Sequence, residues 1–271
     1  MRYSWTSHFV LFFVFLFSFA ACKSDFERVR TSGNSQVMYA AGMKYYEEGE
    51  YLKAQTLFEQ IVSAYKGKTE AEELYFKYAY TYYHLGQYIL ASYYFKNFST
   101  TFGTSPLREE AMFMSAYSNY LLSPNFRLDQ TYSQQAIDEL QTFVNTYPNS
   151  EKVGECNNLI DEMRKKLEKK AIARADLYHD MSRYQAAVQS YEIVLQDYPE
   201  TNAAEKIRFQ MTRAEYRLAK KSVYSKQRER YTRTLELADQ FLKRYSNSEY
   251  AEEIKKFKSD SQEQLKSLLN G

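Results

Sequence analysis

The sequence predicts an all-α solenoid of about five helical hairpins closed by a C-terminal capping helix, and three observations predict it. An aromatic residue followed by a turn ends an amphipathic stretch five times, at Tyr65, Phe102, Tyr147, Tyr198 and Tyr245. These closures lie 37, 45, 51 and 47 residues apart, a recurrence that a single globular core does not produce. Each is followed by a helix-favouring restart, such as Ala71-Glu72-Glu73 or Ala251-Glu252-Glu253, whose acids complement the positive end of a helix dipole.

The stretch before each closure repeats as well. Gly49, Tyr51, Ala54 and Phe58 recur as Gly86, Tyr88, Ala91 and Phe95, and more weakly as Ser182, Tyr184, Ala187 and Tyr191. The third copy keeps only Ala136 and Leu140. Glycine permits the left-handed backbone that ends a first helix. The tyrosine then packs into the corner, and the alanine lets two helices approach. Proline after Tyr147 and Tyr198 stops the second helix, because it lacks an N–H and clashes with the preceding turn. This is the pattern of the tetratricopeptide repeat, whose hairpins stack into a superhelix. First helices are expected near 36–48, 72–85, 108–122, 168–181 and 203–224, with a cap at 250–268.

Residues 1–21 answer a different question. Arg2 precedes an apolar run from Phe9 to Ala21, too short for a confident membrane span and typical of an export signal. Phe19-Ala20-Ala21-Cys22 resembles a bacterial lipobox, with phenylalanine where leucine is usual. That resemblance implies cleavage before Cys22 and triple acylation of its thiol. Residues 22–35 are polar with one glycine and read as a lipidated N-terminus and flexible tether. Lys23 follows the cysteine, which favours the outer membrane over the inner.

Composition narrows the function. Loss of Arg2 with the signal takes the formal net charge from +2 to about +1, so no concentrated basic surface is available for nucleic acid. With Cys22 acylated, only Cys156 remains, and no internal disulfide can form. There is no phosphate loop, dinucleotide fingerprint or nucleophile elbow, and neither His84 nor His179 has a histidine or cysteine four residues away that would suggest a metal pair. No enzyme, cofactor or metal site is expected.

Aromatic content stands out instead, with 27 tyrosines and 18 phenylalanines. Aligning the first three first-helices places Met38, Tyr75 and Met112 inside, with Gly42, Ala79 and Ala116 at the helix crossing. The next positions form three rows: Tyr39, Phe76 and Phe113; Met43, Tyr80 and Tyr117; Tyr46, Tyr83 and Tyr120. In a tetratricopeptide hairpin these rows face the concave groove. They can fill a tight superhelix, or they can receive a peptide with aromatic side chains, a role to which tyrosine is suited. The fourth hairpin carries Ile172, Asp176 and His179 there, so the aromatic floor stops.

The third hairpin carries an insertion, Ser123 to Thr131, in which Pro124 blocks continuation of the first helix and Asp129 or Thr131 can cap the next. Leu128-Asp129-Gln130-Thr131 runs into Ala136-Ile137-Asp138-Glu139-Leu140, then Phe143 and Tyr147-Pro148-Asn149-Ser150. Together with the lipobox, the chain resembles the BamD-type outer-membrane protein assembly lipoproteins, the ComL or YfiO family. The resemblance implies a non-catalytic component of the β-barrel assembly machinery, anchored in the outer membrane and facing the periplasm. It implies binding to a BamA-type assembly factor, to unfolded outer-membrane β-barrel proteins and, in some complexes, to other assembly lipoproteins. Residues 36–150 (hairpins one to three) would then hold substrate, and 151–271 (hairpins four and five with the cap) would meet the partner. Arg208, Arg213, Arg217, Lys220, Lys221 and Arg228, with Arg230 and Arg233, give the latter a positive excess suited to an acidic partner or to solvent. The alternative is a general tetratricopeptide lipoprotein scaffold or adaptor of the cell envelope.

Overall fold

The computed structural model describes residues 24–270, which contain twelve α-helices, one 3-10 turn and no strand. The signal, the lipidation site at Cys22 and Lys23 lie outside the described residues. In chain order the helices are α1 (Asp25–Arg30), α2 (Ser35–Glu47), α3 (Tyr51–Ile61), α4 (Ala71–His84), α5 (Tyr88–Thr101) and α6 (Arg108–Leu121). They continue as α7 (Thr131–Thr146), α8 (Val153–Asp180), α9 (Tyr184–Asp197), α10 (Ala204–Lys220), α11 (Tyr224–Arg244) and α12 (Ala251–Asn270). Two compact units result. The first comprises residues up to Ser123 and Tyr132–Asn157; the second comprises Pro124–Thr131 and residues from Asn158.

Turn chemistry explains the hairpins. After α2, the Gly49 N–H donates to the Tyr46 carbonyl at 3.0 Å and the Glu50 N–H to that of Tyr45 at 2.8 Å, with Gly49 at φ 77°. This reciprocal pair closes the helix end through a left-handed residue. The same two bonds follow α4 through Gly86 at φ 71°, and α8 through Ser182 at φ 58°. Ser182 is the single non-glycine residue with positive φ among the described residues, so the weak copy adopts the full turn despite its side chain. The closures repeat equally well. The Phe102, Tyr147, Tyr198 and Tyr245 N–H groups donate four residues back, and Ser105, Ser150, Thr201 and Ser248 then bond to those aromatic carbonyls. Each of these hydroxyls also accepts from the N–H two residues on, which aims the next first helix.

The cores follow. In the first unit Phe58, Phe95, Phe98 and Phe143 are fully buried second-helix residues. Gly42 is required at its crossing, since a Cβ there would stand 2.6 Å from the Phe58 ring. In the second unit Tyr191, Ile207, Met211 and Ala214 form one cluster, and Phe209, Phe241, Ile254 and Phe257 another under the cap.

Three features differ from expectation. Residues 22–35 are not wholly a flexible tether, because Asp25–Arg30 is helical, Ser24 caps it, and Phe26 meets Tyr45 edge-on at 5.8 Å. The first helix of hairpin four begins at Val153, not at 168, and runs 28 residues. Cys156, Ile160 and Met163 bury one stripe of the added length, and no proline interrupts it. Cys156 is thus a core residue, and burial pushes its thiol up to about 11. Finally, the insertion is a folded loop of the second unit. The Gln130 side chain donates to the Asn125 and Leu128 carbonyls at 2.9 and 3.0 Å, Lys169 lies over the Phe126 ring, and Lys170 donates to Leu128. Asp129 is the cap, accepting from the Thr131 N–H at 2.9 Å.

Candidate functional site

The aromatic rows of the first unit divide by depth. Phe76 and Phe113 are buried, 9 % and 4 % exposed, so neither lines an accessible groove. Phe76 turns inward onto Phe98 at 5.1 Å, and Phe113 meets Phe143 at 5.9 Å. A phenylalanine ring has no hydroxyl to hold it at the surface, so burial is favoured at both positions. The remaining seven residues, Tyr39, Met43, Tyr46, Tyr80, Tyr83, Tyr117 and Tyr120, are all half-buried.

Six of those seven are tyrosines, and five of them join in one network of rings. Tyr83 stands 6.2 Å from Tyr80 on the same helix and 6.5 Å from Tyr117 on α6, which stacks with Tyr120 at 5.6 Å. His84 connects to the first hairpin: its imidazole stacks on Tyr51 at 4.0 Å and lies 6.1 Å from Tyr46. Tyr88 adds a further ring 5.7 Å from Tyr83. His84, Tyr51 and Tyr88 were not among the residues expected to line this surface. Their signal in the sequence is position, since Tyr51 and Tyr88 each follow a turn glycine by two residues.

Polar groups fix the rings from helix to helix. The Tyr39 hydroxyl donates to Glu73 at 3.1 Å, and that of Tyr80 donates to Glu110. Lys77 pairs with Glu47 and lies 4.6 Å over the Tyr46 ring. Burial, then Glu73, pushes the Tyr39 phenol up to about 12; burial, then Glu110, raises that of Tyr80. Burial also lowers the His84 imidazole, so it is a neutral ring at neutral pH. The surface is therefore aromatic and uncharged at its centre, with Glu47, Glu73, Glu110 and Lys77 at its margins. Such a face offers stacking area and hydroxyls that bond to backbone.

The six cations expected on one partner face do not form one surface. Arg213 and Arg217 on α10 and Lys221, the residue that caps its C-terminal end, recur at four-residue intervals on one side. Arg213 faces Glu253 at 3.7 Å. Arg217 lies 3.5 Å from His179 and 5.9 Å over Tyr184, and Lys221 is 5.0 Å over the same ring. Burial, with the charges of Arg217 and Arg213, holds the His179 imidazole below its usual value against the raising influence of Asp180. Lys220 covers Tyr216 at 5.4 Å. Arg208 falls on another side, two helical turns before Glu215, and Arg228 belongs to a crevice beside α11.

Among the described residues no three His, Cys, Asp or Glu side chains gather as a metal site, and no helix is long and apolar enough to cross a membrane. The family model described as YfiO, outer membrane lipoprotein, matches residues 31–231. No curated protein matched the chain. Among solved structures, the MamA protein is 16 % identical over 79 % of this chain and 95 % of its own, with a TM-score of 0.32. The TPR2AB domain of yeast Sti1, solved with pHSP90, is 14 % identical over 84 % of this chain and 98 % of its own, with a TM-score of 0.40.

Proposed function

The chain belongs to the YfiO family of outer membrane lipoproteins, and from that premise we propose that it is a lipid-anchored, periplasm-facing component of β-barrel assembly. Its first three hairpins receive unfolded outer-membrane proteins, and its second unit meets a BamA-type assembly factor. The observation that carries this reading is the run of half-buried tyrosines linked through His84 across three first helices. Substrates of that machinery end in a strand with a terminal aromatic residue. A ring-lined surface with hydroxyls at its edge suits such a strand, because stacking holds the aromatic and the hydroxyls bond to its backbone.

A synthetic peptide of such a C-terminal strand tests it. With Tyr80→Ala and Tyr83→Ala combined, binding is expected to weaken at least about tenfold, since aromatic anchors contribute about 1–2 kcal/mol or more each. Circular dichroism checks the fold of the variant. Unchanged peptide affinity in a folded variant would remove this surface from the function.

Partner binding is assigned to the side of α10 carrying Arg217 and Lys221, because Arg213 is already opposed by Glu253. Arg217→Glu with Lys221→Glu should reduce co-purification of the assembly factor from solubilised membranes and leave peptide binding intact. Full recovery of the complex would exclude that side. Depletion in the bacterium separates the general-scaffold alternative, which predicts normal levels of barrel proteins in the outer membrane.

A further inference from the structure

Between α9, α10 and α11 of the second unit lies an open crevice of about 740 Å³. Glu215 lines it, only 5 % exposed, and no hydrogen bond or ion pair reaches its carboxyl among the described residues. The charged neighbours are otherwise occupied. Arg233 spans Glu192 at 3.1 Å and Glu236 at 3.0 Å, Arg230 donates to Ser222, and Glu229 holds Lys226 at 3.2 Å. The exposed Arg228 side chain, at the edge, has no ion pair among the described residues. Val188 and Leu218 make an apolar wall beside Glu215.

The first unit shows what a settled carboxylate of this kind looks like. Glu139, in a crevice between α5, α6 and α7, accepts from Ser115 at 2.9 Å, Asn119 at 3.0 Å and Lys96 at 2.8 Å. Glu215 has no such donors. Its carboxyl faces the crevice, where a donor entering from outside would supply the hydrogen bond that Glu139 obtains within the fold.

We propose that this crevice is a binding site for a lysine side chain presented by another polypeptide. The alkyl stem would lie along Val188 and Leu218 with the ammonium on Glu215, the arrangement by which lysine buries its methylenes. Arg228 would take a backbone carbonyl of the same segment. The volume is several times that of one side chain, so neighbouring residues of the segment enter too. This site is separate from the aromatic surface of the first unit and does not depend on its assignment.

Burial raises the Glu215 carboxyl to about 7, against the lowering influence of Arg233 and Arg230 and reinforced by Glu192 and Glu229. An ammonium ligand needs the ionised form, so it should bind more tightly as pH rises. The probes are acetyl-Gly-Lys-Gly-amide, its norleucine counterpart and 1,4-diaminobutane, each titrated into the isotopically labelled protein by NMR. The lysine probe is expected to shift crevice resonances, with affinity about tenfold higher at pH 8 than at pH 6 for a group titrating near 7. The norleucine probe should show no such dependence. Glu215→Gln should abolish the pH dependence and weaken the lysine probe at least tenfold. Ser225→Trp, which crowds the mouth without touching the carboxyl, should also block it and serves if the first variant fails to fold. The proposal is overturned if lysine binds no better than norleucine, or if the folded variants bind it as the parent does. Equal affinity for 1,4-diaminobutane would overturn the assignment to a polypeptide.

Discussion

Replacing Phe95 with alanine is expected to cost about 3–5 kcal/mol of stability, a large share of what a domain of this size possesses. The side chain is fully buried on α5, and its ring meets Tyr80 edge-on at 4.9 Å and Phe76 at 6.1 Å. Truncation would leave a cavity directly under the aromatic surface. Hairpins in an array stabilise their neighbours, so the loss should also spread to the first and third. Urea denaturation followed by circular dichroism measures the effect. Phe241→Ala in the second unit is the comparison, because it removes an equally buried ring from a different core. Both should destabilise, but only Phe95→Ala should weaken peptide binding under conditions where the variant is still folded. A loss below about 1 kcal/mol for Phe95→Ala would contradict the packing described.

Cys22→Ala, placed behind a conventional secretory signal, is expected to move nearly all of the protein from the membrane fraction to the soluble periplasm. The inference rests on the lipobox resemblance of Phe19 to Cys22 and on the strength of acyl anchoring. Each buried methylene contributes about 0.8 kcal/mol, one chain anchors only marginally, and two suffice for stable attachment. Among the described residues no helix is long and apolar enough to cross a bilayer. Fractionation combined with labelled palmitate is the measurement. Retention of both label and membrane association by the variant would place the lipid elsewhere or dispense with it.

Much of the hairpin fold is legible in the sequence because its determinants are local. Gly49 and Gly86 appear as turn residues directly, and the closures at Tyr147 and Tyr198 are marked by the prolines that follow. Where local signals fade, so does the reading. Ser182 carries a glycine's conformation without the glycine, and Val153–Asp180 is continuous where the repeat spacing suggested a shorter helix. The aromatic rows were visible in the sequence along three first helices, but register cannot say which rings turn inward: Tyr75 and Met112, expected inside, are half-buried. Phe76 and Phe113 share a row with Tyr39, yet they are core residues because Phe98 and Phe143 offer them apolar partners.

The chain's own text specified hairpins, their turns, their number and their family, since helix ends depend on the few residues that adopt each turn. Tertiary structure alone decided depth and company. It brought His84 between the tyrosines of two hairpins and enclosed Glu215 without a donor. Burial is a property of neighbours from distant segments, and no local pattern around Glu215 announces which helices will cover it.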